Sequence, residues 1–427
     1  MKSTYFYKSV LALAILGLAS CKPTIDTPAP TKGTADFTRY IALGNSLTAG
    51  FSDAGLYLEG QKNSYPEMIA AQMKAVGGGS FSTPFFPEAQ FNGSGYLKLT
   101  ALVNGVPTIV PETSNLAIRG QVGSVNLYTK YTGNIENFGI PGIQLAHAKI
   151  PGYGTKNNYY ERLLTDATIN TPYLDFVTAK PWTFFSNWLG NNDILGYASA
   201  GATGTAPTPK GAFASQYAEV ITKLTSTGAK GVVATIPDVT KIAYFNTVTL
   251  QTLLAAINAT PTGKDVKDIY IQTGAGIPRP ATAEDLFTLT LSSAGVMGTP
   301  NGSNIPYGLH PANPVESHFV LDKAEIAVVN DFVTSYNNSI KDIANAKGLA
   351  IMDAYSMLNE YGAGKMVNGI PVSAAFIKGN LFSLDGTHLT PLGYAITANA
   401  FIAAINAKYG SNIPVVDVSK YRGVKLP

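Results

Sequence analysis

Residues 40–50 read YIALGNSLTAG, a short apolar run followed by a turn with a glycine at each end. Residues 40–43 have the length and the apolar character of a strand that is buried on both faces. Gly44 and Gly50 enclose Ser46, and glycine allows both a tight turn and the close approach of another group. In open α/β sheets, ligands bind at the carboxyl ends of the strands. The stretch therefore predicts a parallel strand that ends at a candidate binding edge.

Similar apolar runs recur along the chain and alternate with helical patterns. The clearest helix begins at Asp322, where Glu325 completes a capping box, and Ser64 with Glu67 predicts a second box. This alternation is typical of βαβ units, so it predicts a three-layer α/β/α sandwich around a five-stranded parallel sheet, doubly wound in the flavodoxin-like manner. The predicted strands are residues 40–43, 135–138, 182–188, 231–236 and 349–352.

The beginning of the chain is predicted to be a processed and lipidated segment. Lys2 and Lys8 accompany an apolar run at residues 10–18, which is typical of a signal peptide and too short to span a bilayer. Residues 18–21, LASC, resemble the bacterial lipobox, in which the cysteine becomes the lipidated first residue. The alternative is an ordinary signal peptide followed by a chance Cys21.

The sequence thus predicts a signal peptide over residues 1–20 and a lipidated, Pro- and Thr-rich tether over residues 21–36. Lys22 does not resemble an inner-membrane retention signal, so we expect a bacterial cell-envelope protein that Cys21 anchors to the outer membrane. The folded domain is predicted over residues 37–410, followed by a C-terminal tail over residues 411–427.

Composition argues against several other functions. Removal of residues 1–20 takes two lysines from the 30 basic residues and none from the 27 acidic ones, which leaves a nearly neutral chain without a Lys/Arg cluster. Nothing therefore favours nucleic acid as a partner. Cys21 is the only cysteine, so the folded domain has no disulfide and no thiol catalyst. His147, His310 and His318 lack acidic or cysteine neighbours at ligand spacing, so we predict no metal.

Three further polar motifs lie at the ends of predicted strands or before the last helix. Residues 137–142, NFGIPG, can present a bare glycine N–H, and residues 190–193, GNND, can offer a side-chain amide to an oxyanion. In residues 385–391, DGTHLTP, Asp385 can hold Nδ1–H of His388 and leave Nε2 free to accept a serine proton. Each motif alone, including the Ser46 turn, is better explained as an ordinary polar turn or loop.

Together and in this order, the motifs resemble those of the SGNH/GDSL hydrolase family over most of residues 38–408. The resemblance implies that Ser46 is the nucleophile, with His388 as its general base and Asp385 as the carboxylate that orients the imidazole. It also implies an oxyanion hole formed by the N–H groups of Ser46 and Gly142 and the side chain of Asn192. The family's usual Gly-Asp-Ser-Leu is Gly-Asn-Ser-Leu here, and Asn45 is expected to preserve the turn.

The resemblance implies a carboxylic ester hydrolase that works through an acyl-enzyme and needs no cofactor. A lipid ester, a short acyl ester and an acetylated polysaccharide are all compatible substrates. Two alternatives stay open, a non-catalytic lipoprotein that binds glycan or lipid, and an acyltransferase that uses an alcohol in place of water.

Two long segments interrupt the alternation of strands and helices, residues 78–133 and residues 238–320. Structureless loops of this length are uncommon unless they are functional. We therefore expect both insertions to line or cover the active site. Phe85, Phe86 and Phe91 of the first insertion would offer apolar surface to an acyl chain, or else pack the insertion onto the domain.

Overall fold

The computed structural model describes residues 29–103, 105–261 and 263–427. The predicted signal peptide and the lipidation site at Cys21 lie outside the described residues. A five-stranded parallel sheet forms the centre of the fold. Its strands in chain order are β1 (Tyr40–Gly44), β2 (Asn137–Gly139), β3 (Phe184–Trp188), β4 (Lys230–Ala234) and β5 (Ala350–Met352).

The strands lie in the order β2-β1-β3-β4-β5, as expected for a flavodoxin-like sheet. Each predicted strand is present, with ends that differ from the prediction by at most two residues. The register pairs Gly44 with both Gly139 and Trp188, so β1, β2 and β3 end level with one another. The loops that follow these three strands therefore emerge side by side at one edge of the sheet.

Helices cover both faces of the sheet, and further short helices lie in the connections. In chain order the helices are α1 (Ser46–Ala49), α2 (Leu58–Lys62), α3 (Tyr65–Met73), α4 (Asn158–Glu161), α5 (Tyr173–Val177), α6 (Asn192–Ser199), α7 (Lys210–Thr225), α8 (Ala243–Asn246), α9 (Leu250–Asn258), α10 (Leu289–Ala294), α11 (Lys323–Ala346), α12 (Ala354–Gly362) and α13 (Pro391–Tyr409).

Successive side chains of β3 contact helices on opposite faces of the sheet. The Trp188 ring lies 5.8 Å from that of Phe401 in α13, which packs beside α3. Asn187 points to the other face, where its Nδ2 donates to the Tyr217 hydroxyl of α7 at 3.3 Å, and α7 packs on α11. Successive residues of a strand point to opposite faces, so the sheet lies between two helical layers. The predicted three-layer sandwich is confirmed.

Capping explains where the long helices begin and corrects one prediction. The predicted box at Asp322 and Glu325 is present at the start of α11. Ser64 precedes α3, but its side chain makes no capping bond, and its buried hydroxyl has no hydrogen-bond partner among the described residues. The box predicted at Ser64 and Glu67 is therefore wrong. Pro66 at the second helical position explains part of this, because proline lacks one of the two N–H groups that a capping serine can receive.

The two insertions form ordered structure of different kinds. The first carries antiparallel hairpins, Tyr96–Val103 with Val106–Glu112 and Ile118–Val122 with Val125–Tyr128. The second contains α8, α9 and α10 and encloses an apolar cluster of its own. Its short antiparallel pairs are Tyr270–Gln272 with Pro278–Pro280 and Leu286–Phe287 with Val320–Leu321, and a further hairpin near the C-terminus pairs Lys365–Val367 with Ile370–Val372.

Both ends of the described chain contact the central domain. In the predicted tether, Thr34 N–H donates to the Tyr409 carbonyl at 2.9 Å. In the predicted tail, Val418 is buried and Arg422 pairs with Glu59 at 2.8 Å. Within the described ranges, no helix combines the length and the apolar character needed to cross a membrane.

Candidate active site

The Ser46 turn connects β1 directly to the short helix α1. Asn45 caps this helix, since its Oδ1 accepts the N–H of Leu47 at 3.0 Å. Gly50 ends the helix with a φ of 83°, and a Cβ there would lie 2.4 Å from the Gly60 carbonyl oxygen. An asparagine oxygen thus performs the capping at position 45, and the turn forms as the sequence predicted.

Ser46, His388 and Asp385 form a continuous line of hydrogen bonds. Ser46 Oγ lies 2.8 Å from His388 Nε2, and His388 Nδ1 lies 2.8 Å from Asp385 Oδ2. The imidazole is therefore placed to take the hydroxyl proton, while the carboxylate fixes the ring orientation and the tautomer. The residues predicted as nucleophile, general base and orienting carboxylate therefore lie in hydrogen-bond contact.

The surroundings of Asp385 favour its ionised form. Burial alone would raise the pKa of its carboxyl, but the adjacent His388 and the backbone N–H groups of Thr387 and His388, each 2.8 Å from Oδ1, hold it well below its usual range. A carboxylate that accepts several hydrogen bonds keeps its charge even when it is buried. Asp385 is therefore a negative charge beside the imidazole at neutral pH.

Contacts on two sides hold the loop that carries Asp385 and His388. The Phe51 ring packs against the His388 ring, with 4.6 Å between their centroids. On the other side, the Gly386 carbonyl accepts the N–H of Tyr244 from the second insertion at 2.8 Å. Gly386 has a φ of 70°, and a Cβ there would lie 2.8 Å from that same Tyr244 nitrogen. Only glycine fits this approach without a shift of the backbone.

The predicted oxyanion donors Ser46, Gly142 and Asn192 lie just after the carboxyl ends of β1, β2 and β3. Asn192 Nδ2 donates to the Ile143 carbonyl at 2.9 Å, which orients the amide, and its second hydrogen has no acceptor among the described residues. Within the same ranges, the N–H groups of Ser46 and Gly142 also lack an acceptor. Hydrogen-bond donors that are held in place and have no acceptor among these residues can stabilise a negative charge that develops during a reaction. Ser46, Asn192 and His388 line one cavity, whereas Gly142 is not among its lining residues.

Asp193 serves a different purpose from its neighbour Asn192. It is 1% exposed, and its two carboxylate oxygens accept hydrogen bonds from Leu145 N–H at 2.9 Å and from Thr208 Oγ1 at 2.7 Å. Burial raises the pKa of this carboxyl to about 6, although the two hydrogen bonds oppose the change. Asp193 thus ties the loop after β2 to α6, which carries Asn192.

Residues 52–54, which we call the clamp turn, were not singled out from the sequence. Ser52 Oγ donates to the Leu389 carbonyl at 2.9 Å, and Asp53 Oδ1 accepts the N–H of Leu384 at 2.9 Å. Ala54 N–H donates to Asp385 Oδ2 at 2.8 Å. The clamp turn therefore fastens the segment just after the nucleophile helix to the loop that carries Asp385 and His388.

The clamp turn also has an unusual backbone. Asp53 and Ala54 have φ values of 52° and 60°, a left-handed conformation that non-glycine residues rarely adopt. Such strain persists where the surrounding structure holds it, often at functional sites. Burial raises the pKa of Asp53, against the hydrogen bonds from Leu384 and from the Tyr57 hydroxyl. In the sequence, residues 52–55 read SDAG, which indicates only a turn.

The aromatic residues of the first insertion do not line the cavity at Ser46. Phe86 is 1% exposed, and the Arg162 guanidinium lies 4.2 Å from the centre of its ring. Phe85 and Phe91 are also absent from the walls of this cavity. The expectation that Phe86 offers surface to an acyl chain is wrong, since the ring packs the insertion onto the domain.

The histidines outside this site have other neighbours. His147 stacks on Tyr153 with 4.5 Å between ring centroids, and burial lowers its pKa. His310 accepts the N–H of Ala312 at its Nδ1, within the second insertion. In the part of the chain that the structure describes, no three His, Cys, Asp or Glu side chains gather into a group that could hold a metal ion.

Comparison with known proteins identifies the class. The model of the GDSL-like lipase/acylhydrolase family matches residues 40–401, which include every candidate site residue of the folded domain. The chain belongs to this family, as its motifs predicted. It is therefore a hydrolase that acts on ester bonds. No match was found among curated proteins.

Several solved structures are distantly similar. LAE5, an alpha/beta hydrolase from the metagenome of Lake Arreo, Spain, is 11% identical with a TM-score of 0.38, and the match covers 88% of this chain and 97% of LAE5. The lipase/acylhydrolase from Enterococcus faecalis is 10% identical with a TM-score of 0.33, covering 88% and 100%. The extracellular lipase from Streptomyces rimosus is 13% identical with a TM-score of 0.33, covering 86% and 99%.

The clamp turn yields a prediction about turnover. Asp53→Ala removes the acceptor for Leu384 N–H and should lower kcat by about ten- to hundredfold with little change in KM, because small displacements of catalytic groups are costly. Asp53→Asn should retain most of the activity, since its amide oxygen still accepts that bond and asparagine tolerates a positive φ. Steady-state kinetics on a nitrophenyl ester would measure both variants. Equal losses in the two variants would contradict this role.

Proposed function

We propose that the protein hydrolyses carboxylic esters by acyl transfer through Ser46. The observation that carries the proposal is a chain of two hydrogen bonds. Ser46 Oγ lies 2.8 Å from His388 Nε2, and His388 Nδ1 lies 2.8 Å from the Asp385 carboxylate. A serine hydroxyl is a weak nucleophile unless an adjacent base takes its proton. Here His388 is that base, and Asp385 is the group that orients it.

In the first half of the reaction, Ser46 Oγ bonds to the ester carbonyl carbon as His388 Nε2 takes the hydroxyl proton. The carbonyl oxygen becomes an oxyanion, which the N–H groups of Ser46 and Gly142 and the amide of Asn192 stabilise. The carbon–oxygen bond to the alcohol then breaks, and His388 returns the proton to the leaving alcohol oxygen. Throughout, Asp385 stabilises the imidazolium.

In the second half, water takes the place of the alcohol. His388 removes a proton from the water as its oxygen attacks the acyl carbon, and the same donors stabilise the second oxyanion. The bond from the acyl carbon to Ser46 Oγ breaks, Oγ regains its proton from His388, and the free acid leaves.

The nucleophile can be tested by covalent labelling together with kinetics. Ser46→Ala should abolish hydrolysis of a nitrophenyl ester without loss of folding, and a fluorophosphonate probe should label Ser46 in the unsubstituted protein. Ser226→Ala, at an exposed serine after α7, is the matched control and should behave normally. Near-normal turnover by Ser46→Ala would show that another group is the nucleophile.

The oxyanion donor of α6 has a neighbouring residue that serves as its control. Asn192→Ala should lower kcat by about 10²–10³-fold with little change in KM, because such a donor acts mainly in the transition state. Asn191→Ala removes a buried amide that has no hydrogen-bond partner in the described structure, and kcat should fall by less than about tenfold. Similar losses in the two variants would contradict the assignment of the donor to Asn192.

We also propose that the protein is a lipoprotein of the bacterial cell envelope, anchored to the outer membrane by acylation of Cys21. The support is the lipobox-like sequence at residues 18–21 after a charged and apolar leader. Cys21→Ala should release the protein from the membrane fraction or leave it unprocessed, whereas Ser20→Ala keeps a small residue there and should stay anchored. Wild-type protein wholly in the soluble fraction, with no acyl group on Cys21, would refute the proposal.

A further inference from the structure

The cavity beside Ser46 is small. Its volume is about 40 Å³, and a cavity needs about 10–15 Å³ to hold one water molecule. An apolar cavity that binds benzene has about 150 Å³, and pockets for drug-sized ligands have about 300–1,000 Å³. The cavity therefore has room for a methyl group next to the reacting carbonyl, but not for an alkyl chain.

Apolar side chains form part of the wall of this cavity. We call this part the acyl wall. It consists of Leu47 from α1, Leu195 from α6, and Pro237, Val239 and Ile242 from the connection after β4. The wall thus joins the nucleophile helix, the helix that carries Asn192, and the start of the second insertion.

The part of the acyl wall from the second insertion is held firmly. Val239 and Ile242 are each 3% exposed and belong to the main apolar core. The Asp238 carboxylate accepts the N–H of Thr240 at 3.0 Å, and Asn246 Nδ2 donates to the carbonyls of Thr240 and Ile242, at 2.8 Å each. Buried side chains in a close-packed core do not move aside without a cost in stability. A longer acyl chain would have to displace them.

A larger cavity of about 510 Å³ lies beside β2, lined by apolar residues that include Ile135, Phe138 and Phe176. It shares no lining residue with the cavity beside Ser46. Its walls contain none of Ser46, Asn192 and His388. An acyl chain bound in this larger cavity would therefore not lie in the same pocket as the nucleophile.

We propose that the enzyme is selective for esters of acetyl-sized acyl groups, with the acyl wall as the determinant. This proposal rests on the ester hydrolysis proposed above. An acetyl methyl group fills the cavity, and each added methylene meets Val239, Ile242 or Leu195. The alcohol part of the ester remains outside the cavity, so its size is not restricted by the acyl wall.

The test is a panel of nitrophenyl esters with acyl groups from acetyl to octanoyl. The wild-type kcat/KM should fall at least about tenfold from acetyl to butyryl, since a pocket commonly discriminates by 10–200-fold for one methylene. Ile242→Ala should raise the butyryl-to-acetyl ratio at least tenfold, and Leu195→Ala, at a half-buried position, provides a second variant if the first does not fold. Ile277→Ala is the matched control in the same insertion, 66% exposed, and should leave the ratio unchanged.

A second series with acetyl esters of different alcohols completes the design, from methyl acetate and triacetin to an acetylated polysaccharide. Hydrolysis across this series is the expected result, and the preferred member identifies the source of the acetyl ester. Rates that depend on alcohol size but not on acyl length would overturn the proposal, because the cavity would then hold the alcohol. Octanoyl esters cleaved as fast as acetyl esters would overturn it too. Inactivity on every ester, with no labelling of Ser46, would instead refute ester hydrolysis itself.

Discussion

The contact between Ser46 Oγ and His388 Nε2 is the constraint on which the site depends. It joins residues 342 positions apart in the chain, at 2.8 Å. Ser46 begins α1 directly after β1, the second strand from one edge of the sheet, while His388 lies in the loop before α13. A displacement of about 1 Å between such groups can cost about a hundredfold in rate. The fold therefore has to hold two distant loops together more accurately than packing of the layers alone requires.

The clamp turn meets this requirement from the nucleophile side. It follows α1 by only a few residues, and its hydrogen bonds reach Leu384, Asp385 and Leu389. The same network contains two buried carboxyl groups, Asp385 and Asp53, whose pKa values are shifted in opposite directions from their usual values. His388 and backbone N–H groups hold the pKa of Asp385 down, whereas burial raises that of Asp53, with the charge of Asp385 adding to the effect. Of these two carboxyl groups, only Asp385 contacts the imidazole. Asp385 therefore orients the His388 ring, whereas Asp53 positions the loop that carries it.

The sequence predicted the parts of the structure that depend on local patterns. Apolar runs located the five strands, and the box at Asp322 marked the start of a long helix, because both signals lie within a few residues. The clamp turn was not predictable in this way. Its strain and its partners more than 300 residues away leave no local signal.

The predictions that turned out wrong also relied on local sequence patterns. Ser64 and Glu67 have the spacing of a capping box, but Pro66 removes one of the donors, and the serine hydroxyl has no partner within the part of the chain that the structure describes. In the first insertion, aromatic composition indicated apolar surface without revealing which rings are buried, and Phe86 packs beneath Arg162. A pattern specifies spacing, whereas burial depends on segments that the pattern does not include.

The second insertion connects substrate size to catalytic geometry. Ile242 forms part of the acyl wall, and two residues later Tyr244 N–H donates to the Gly386 carbonyl in the loop that carries His388. A single short segment therefore sets both the depth of the cavity and the support of the acid–base loop. A change of backbone that deepened the cavity would also pull on Gly386, whose contact with Tyr244 leaves no room for a Cβ. Loss of side-chain volume at Ile242 avoids this coupling, since the backbone bond of Tyr244 is left in place.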